Sequence, residues 1–118
     1  MADLKVYTYR KCSTCRKALD WLDEQAINYR ELPVRESPPT RKDLKLALQT
    51  TGNIRKILNT SSQDYRDLGL KDKLGTLSES EVFGLLQENG NLVKRPFVVA
   101  DGQAFAGFKA DEWSARLQ

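Results

Sequence analysis

Two cysteines stand three positions apart, at Cys12 and Cys15, in a chain that has no histidine. A structural zinc site takes four Cys or His ligands, so one copy of this chain cannot assemble one by the usual route. A Ser/His or Cys/His catalytic pair is excluded because its base is missing. What the pattern leaves for Cys12-Ser13-Thr14-Cys15 is thiol chemistry. A C-x-x-C in a chain of cytosolic character reads as redox-active.

The spacing acquires meaning from the element that begins there. From Ser13, the apolar residues Ala18, Leu19 and Leu22 recur at helical intervals among Arg16, Lys17, Asp20 and Asp23, which predicts an amphipathic helix to about Gln25. At a helix N-terminus the unpaired backbone N–H groups favour an anion, so a Cys12 thiolate is stabilised there and its pKa lowered. Lys11 and Arg16 add positive charge. Cys12 is therefore the nucleophile. Cys15, one turn in and more shielded, resolves the mixed disulfide. Lys11, Ser13, Thr14 and Arg16, flanking the pair, are the candidate substrate-binding residues. Three plainer readings stand beside this one: a structural disulfide, two incidental core cysteines, and half of an intermolecular metal site. A loop this short constrains the unfolded chain little, and cytosolic thiols are held reduced, which weighs against the first. Charged neighbours weigh against the second.

The elements around the pair follow from periodicity. Leu4 to Tyr9 alternates as a strand with Leu4, Val6 and Thr8 on one face, and Asn28 to Pro33 reads as a second strand returning beside the first. Ser37-Pro38-Pro39-Thr40 is a loop that delivers Thr40 as an N-cap, with Asp43 in the reciprocal position of a capping box. The helix it opens buries Leu44, Leu46 or Ala47, and Leu48, and stops near Gly52. Further helical turns follow around Ile54 to Leu58 and after Ser62, ending near Gly69. Ser78-Glu79-Ser80-Glu81 is a cleaner capping box for a helix closed by Asn89-Gly90. After Arg95-Pro96, the runs 97–100 and 103–106 flank Asp101-Gly102 as a hairpin, and Ala110 to Leu117 forms a last helix with Trp113 and Leu117 on one face. Trp21 and Trp113 read as core aromatics.

The whole chain of 118 residues, 40% hydrophobic and 30% charged, is the size of one domain spanning 1–118. No apolar run approaches the roughly 18 residues of a spanning helix, and the start, Met1 to Val6, lacks the pattern of a secretory leader. The expectation is a cytoplasmic monomer with no membrane contact. Nineteen basic and sixteen acidic residues are interspersed, giving +3, with no basic stripe to suggest direct contact with nucleic acid.

Four strings, Tyr9 to Ala18, Ser37 to Thr40, Asn91 to Val99 and Gly107-Phe108-Lys109, resemble the arsenate-reductase-like (ArsC/Spx) family of the thioredoxin superfamily over essentially the full length. The resemblance implies an α/β thioredoxin-like fold, β-α-β plus β-β-α, with a helical insertion at about 37–90. It also implies that Pro96 is cis, packs beside the cysteines and joins the substrate-binding residues, and that Arg95 is a catalytic residue that holds an oxyanion. Taken alone, Pro96 reads as trans and Arg95 as surface charge. This chain departs from ArsC enzymes similar to it, which carry serine at the place of Cys15, so the C-x-x-C resembles Spx. The other two oxyanion arginines align with Asn59 and near Phe108 or Lys109, leaving Arg55 or Lys56 to substitute.

Three functions are thereby expected, in this order. The first is a thiol–disulfide oxidoreductase with no bound cofactor and no metal, in which Cys12 and Cys15 form a redox disulfide. Glutathione is its co-substrate, and glutathione, glutaredoxin or thioredoxin its reductant. The second is arsenate reduction with Cys12 and Arg95. The third, implied by the likeness to Spx, is a redox-sensing regulator whose partner is RNA polymerase.

Overall fold

The structure is a computed structural model and describes residues 4–118. The reading of the chain's start therefore lies, for Met1 to Asp3, outside the described residues. Lys5–Thr8 forms strand β1, Ser13–Glu24 helix α1 and Arg30–Pro33 strand β2, which runs parallel to β1 with Val6 opposite Glu31. Phe97–Ala100 (β3) and Gln103–Ala106 (β4) form the hairpin expected at Asp101-Gly102, where Gly102 takes a φ of 77°. β3 lies antiparallel to β1, with Val98 opposite Val6, so the sheet order is β2-β1-β3-β4. With the last helix, Ala110–Leu117, this is the thioredoxin-like arrangement of a parallel β-α-β half and an antiparallel β-β-α half.

Strict alternation gives the sheet two apolar faces. Leu4, Val6, Val98 and Phe105 pack against Ala18 and Leu22 of α1 and against the fully buried Trp113 of the last helix. Tyr7, Phe97, Val99 and Ala104 point the opposite way, onto the segment that separates the two halves. Thr8, expected on the Val6 face, is buried and donates its hydroxyl hydrogen to Glu31 at 2.5 Å, which satisfies it without a core partner.

The inserted segment is helical. α2 covers Arg41–Thr51, a 3-10 turn Ile54–Ile57, α3 Gln63–Asp67, α4 Leu70–Lys73, α5 Glu79–Glu88 and a second 3-10 turn Gly90–Leu92, so the final helix is α6. Gly52 closes α2 in the left-handed region, with φ of 74°. Ser78 and Glu81 make both bonds of the capping box, at 3.1 and 3.0 Å. Two expectations are corrected. Thr40 caps α2 by accepting the Asp43 N–H at 3.2 Å, but the Asp43 carboxylate does not reach back; it turns inward to accept from Lys5 Nζ at 2.8 Å. Helical structure also resumes past Gly69, whose φ of 62° redirects the chain into α4 so that Leu70 enters the core.

Candidate active site

The end of β1 and the start of α1 build the site. The Cys12 N–H donates to the Tyr9 carbonyl at 3.0 Å, closing a tight turn that brings Cys12 to the N-cap of α1. There its sulfur accepts the backbone N–H of Cys15 at 3.4 Å, the bond a serine or aspartate oxygen usually takes at this position. Both cysteines are free thiols. Cys12 is half-buried, whereas Cys15 is only 1% exposed, so an outside reactant meets Cys12 first.

The two sulfurs are tuned in opposite directions. Burial opposes ionisation of Cys12, but the Cys15 thiol and backbone N–H, and then the Arg95 guanidinium, outweigh it and hold its pKa below the ordinary cysteine value. Burial, together with the neighbouring Cys12 sulfur, pushes Cys15 up to about 12. At neutral pH the pair is thus one thiolate-prone sulfur in front of one protonated sulfur.

Cys12 opens onto a cavity of about 590 Å³ between the start of α1, the end of α2 and the approaches to β3 and α6. Its cations are Arg95, Lys56, Lys94, Lys109 and Arg116, against a single carboxylate, Glu112. Arg116 is tied to Glu112 at 3.4 Å, and the other ion pair among the described residues is Lys5–Asp43. Arg95 and the three lysines therefore leave the cavity net positive. Arg95 reaches it from the residue before a cis peptide bond to Pro96, which is buried and whose carbonyl accepts the Gly107 N–H at 2.8 Å. Thr50 and Thr51 complete the wall, their hydroxyls spent on helix carbonyls at 2.8 Å each.

The other flanking residues are distributed unevenly. Thr14 lines the cavity with Cys12. Ser13 and Lys11 are exposed and do not line it. Arg16 lines a smaller groove of about 420 Å³ behind the pair, with Cys15 and Glu31. The cation acting on Cys12 is Arg95, brought across from the sheet, rather than its chain neighbours. Asn59, where the family's second arginine would stand, does line the cavity, as do Phe108 and Lys109. Lys56 also faces it, while Arg55 does not. Lys94 and the two threonines are additions that sequence reasoning missed; Lys94 directly precedes Arg95, which was the one available signal. No cluster of three or more His, Cys, Asp or Glu side chains that could hold a metal is found among the described residues.

With the geometry in hand, comparison with known proteins is specific. Residues 7–116 match the ArsC family. The chain is 40% identical to the protein YusI of Bacillus subtilis, over 93% of this chain and 94% of that one. It is 31% identical to the global transcriptional regulator Spx of Listeria innocua, over 91% of this chain and 81% of Spx. A crystal structure of a possible arsenate reductase from Streptococcus mutans superimposes with a TM-score of 0.87 at 39% identity, covering 97% of this chain and 99% of that one.

Proposed function

The chain belongs to the ArsC family, and from that premise we propose that it is a thiol–disulfide oxidoreductase working through Cys12 and Cys15. The observation that carries this reading is the opposite tuning of two adjacent sulfurs, the outer one favouring thiolate and the inner one kept as thiol.

In the first step the Cys12 thiolate attacks one sulfur of a substrate disulfide. A Cys12–substrate S–S bond forms, the original S–S bond breaks, and the departing thiolate takes the electron pair and a proton from solvent. Cys15 then loses its proton and attacks Cys12 Sγ, expelling the second substrate thiolate and leaving a Cys12–Cys15 disulfide. Two of the causes that raise the Cys15 pKa, its bond to the Cys12 sulfur and the charge on it, vanish once Cys12 is capped. Burial, the largest cause, remains, so capping Cys12 eases ionisation of the inner thiol without abolishing its shift. An external thiol, such as glutathione or the dithiol of glutaredoxin or thioredoxin, supplies two electrons to reset the pair.

Turnover of a glutathione mixed disulfide, followed by release of the small thiol, tests the reading. Cys12→Ser is expected to abolish it, and activity that survives this substitution would overturn it.

A second reading, arsenate reduction, is favoured by Arg95 and the three lysines around Cys12. Lysine gives an oxyanion point charges rather than the bidentate fork of arginine, so orientation of the anion would rest on Arg95 alone. Arsenate added to the protein should then shift the backbone amide signals of residues 12–16; unmoved signals remove this reading. The regulator reading rests on the likeness to Spx, and RNA polymerase would be the partner to seek with oxidised and reduced protein side by side.

A further inference from the structure

Sequence alone gives Tyr9 no role at the site; it stands only as the end of the first strand and the first residue of the string that carries the family resemblance. Resting on the thiol reading above, we propose that Tyr9, itself fixed by Arg35, is a positioning residue that holds the Arg95 guanidinium at Cys12.

Three contacts meet on this tyrosine. The Arg95 guanidinium carbon lies over its ring, 4.7 Å from the centroid. The Arg35 guanidinium carbon lies 4.9 Å from the same centroid, and Arg35 donates to the Tyr9 hydroxyl at 3.0 Å. The Tyr9 carbonyl accepts the Cys12 N–H at 3.0 Å, so the backbone that presents the ring also sets the nucleophile.

A platform is needed because of how Arg95 arrives. Its side chain is long and flexible, no carboxylate pairs with it among the described residues, and neighbouring Lys56, Lys94 and Lys109 repel it. Left to itself, it would swing toward solvent. A guanidinium stacks well on an aromatic face, which restrains it without neutralising it, whereas a carboxylate in the same role would cancel the charge that Cys12 requires. Arg35, two residues past the end of β2 and far from Cys12 in sequence, holds the ring from the hydroxyl end. The arrangement therefore runs from the loop after β2, through Tyr9, to Arg95 and the reactive sulfur.

The test uses the full chain and reads Cys12 directly, by its alkylation rate with iodoacetamide at neutral pH and by thiolate absorbance across a pH titration. Tyr9→Leu is expected to slow alkylation about threefold, as the thiolate fraction falls and part of the loss is offset by higher intrinsic nucleophilicity. In an Arg95→Gln background the same substitution should change nothing, because the group it positions is gone. A merely structural role would slow both backgrounds equally, and that result, or no slowing in either, overturns the proposal. Should Tyr9→Leu fail to fold by circular dichroism, Tyr9→Phe and Arg35→Gln carry the test: each alone should slow alkylation to a similar extent, and the double variant no further than either, whereas additive effects overturn it. Because the readout is the sulfur itself, loss of disulfide turnover with this coupling intact would count against the thiol reading and not against the positioning role.

Discussion

At the scale of single residues, the opposite tuning of Cys12 and Cys15 makes the two sulfurs separable by pH. Alkylation of Cys12 should rise with pH through a midpoint below that of an unperturbed cysteine, while Cys15, only 1% exposed and still raised by burial after Cys12 is capped, is modified only after it and at higher pH. Mass spectrometry of the alkylated tryptic peptide checks this, and simultaneous modification of both would contradict it. The stability consequences carry opposite signs. Cys12 has its pKa depressed by folding, so its contribution is present above the unfolded value and is lost as pH falls through the folded one. Cys15 has its pKa raised, so its contribution is full below the unfolded value and is lost as pH climbs toward about 12. Cys15→Ser should trap the Cys12–glutathione adduct, visible as a stable mass increase that wild-type protein resolves. The pair and its helix terminus were legible because they are local in sequence. Arg95 entered only through a resemblance, and Tyr9 and Arg35 not at all, because a cation over a ring 26 positions away leaves no periodic trace.

Elements were legible wherever a boundary is set by local backbone chemistry. The hairpin at Asp101-Gly102, the caps at Thr40 and Ser78 and the stop at Gly52 each follow from a residue that supplies a bond or a φ its neighbours cannot. The continuation into α4 was not legible, because Gly69 both ends α3 and redirects the chain into a four-residue helix held by tertiary burial of Leu70. One ending uses no glycine: α1 closes with exposed Ala26 at φ 57°, while Ile27 N–H returns to the Leu22 carbonyl at 3.0 Å. Ala26→Gly should relieve the left-handed strain of about 1–2 kcal/mol, offset in part by the backbone entropy of glycine, for a net gain of about 0.5–1 kcal/mol in urea unfolding. Gly90 presents the opposite case. A Cβ there would lie 2.1 Å from the Val34 carbonyl oxygen and 2.7 Å from Arg35 Cα, backbone atoms that cannot step aside cheaply. Gly90→Ala is expected to destabilise by about 3 kcal/mol, at the upper end for overpacking. Since the displaced backbone carries Arg35, the surviving folded protein should also alkylate more slowly at Cys12.

Across the whole molecule, the helical insertion must be locked to the sheet so that its α2 end can wall the cavity opposite Cys12. Apolar contact does most of this, with Leu44 and Ala47 of α2 buried in the cluster that includes Tyr7, Phe97 and Ala104. A polar bond then fixes the placement, the Thr50 hydroxyl accepting the Ala104 N–H of β4 at 3.1 Å, while inside the insertion Asp64 of α3 accepts from Asn89 at 2.7 Å and Asn91 at 3.2 Å. The buried Asp43 carboxylate ties α2 to β1 through Lys5 at 2.8 Å and Tyr7 at 3.4 Å, the contact that replaces the expected capping-box bond. Burial lowers the Lys5 pKa, but Asp43 and Tyr7 more than reverse this and raise it; burial raises the Tyr7 pKa as well. Both shifts have one sign: the stabilisation is full below the ordinary lysine and tyrosine values and is lost as pH rises through the raised ones. Asp43→Ala should therefore cost about 1–2 kcal/mol near neutrality, discounted from the range for charged bonds because the Lys5 side chain keeps a quarter of its exposure. Urea midpoints measured at pH 7 and again well above the ordinary lysine value of 10.5, where Lys5 has lost its charge, distinguish electrostatics from packing. An ionic link predicts that wild type and variant converge at the higher pH; a constant gap would mean that Asp43 ties the insertion to the sheet through shape and not through charge.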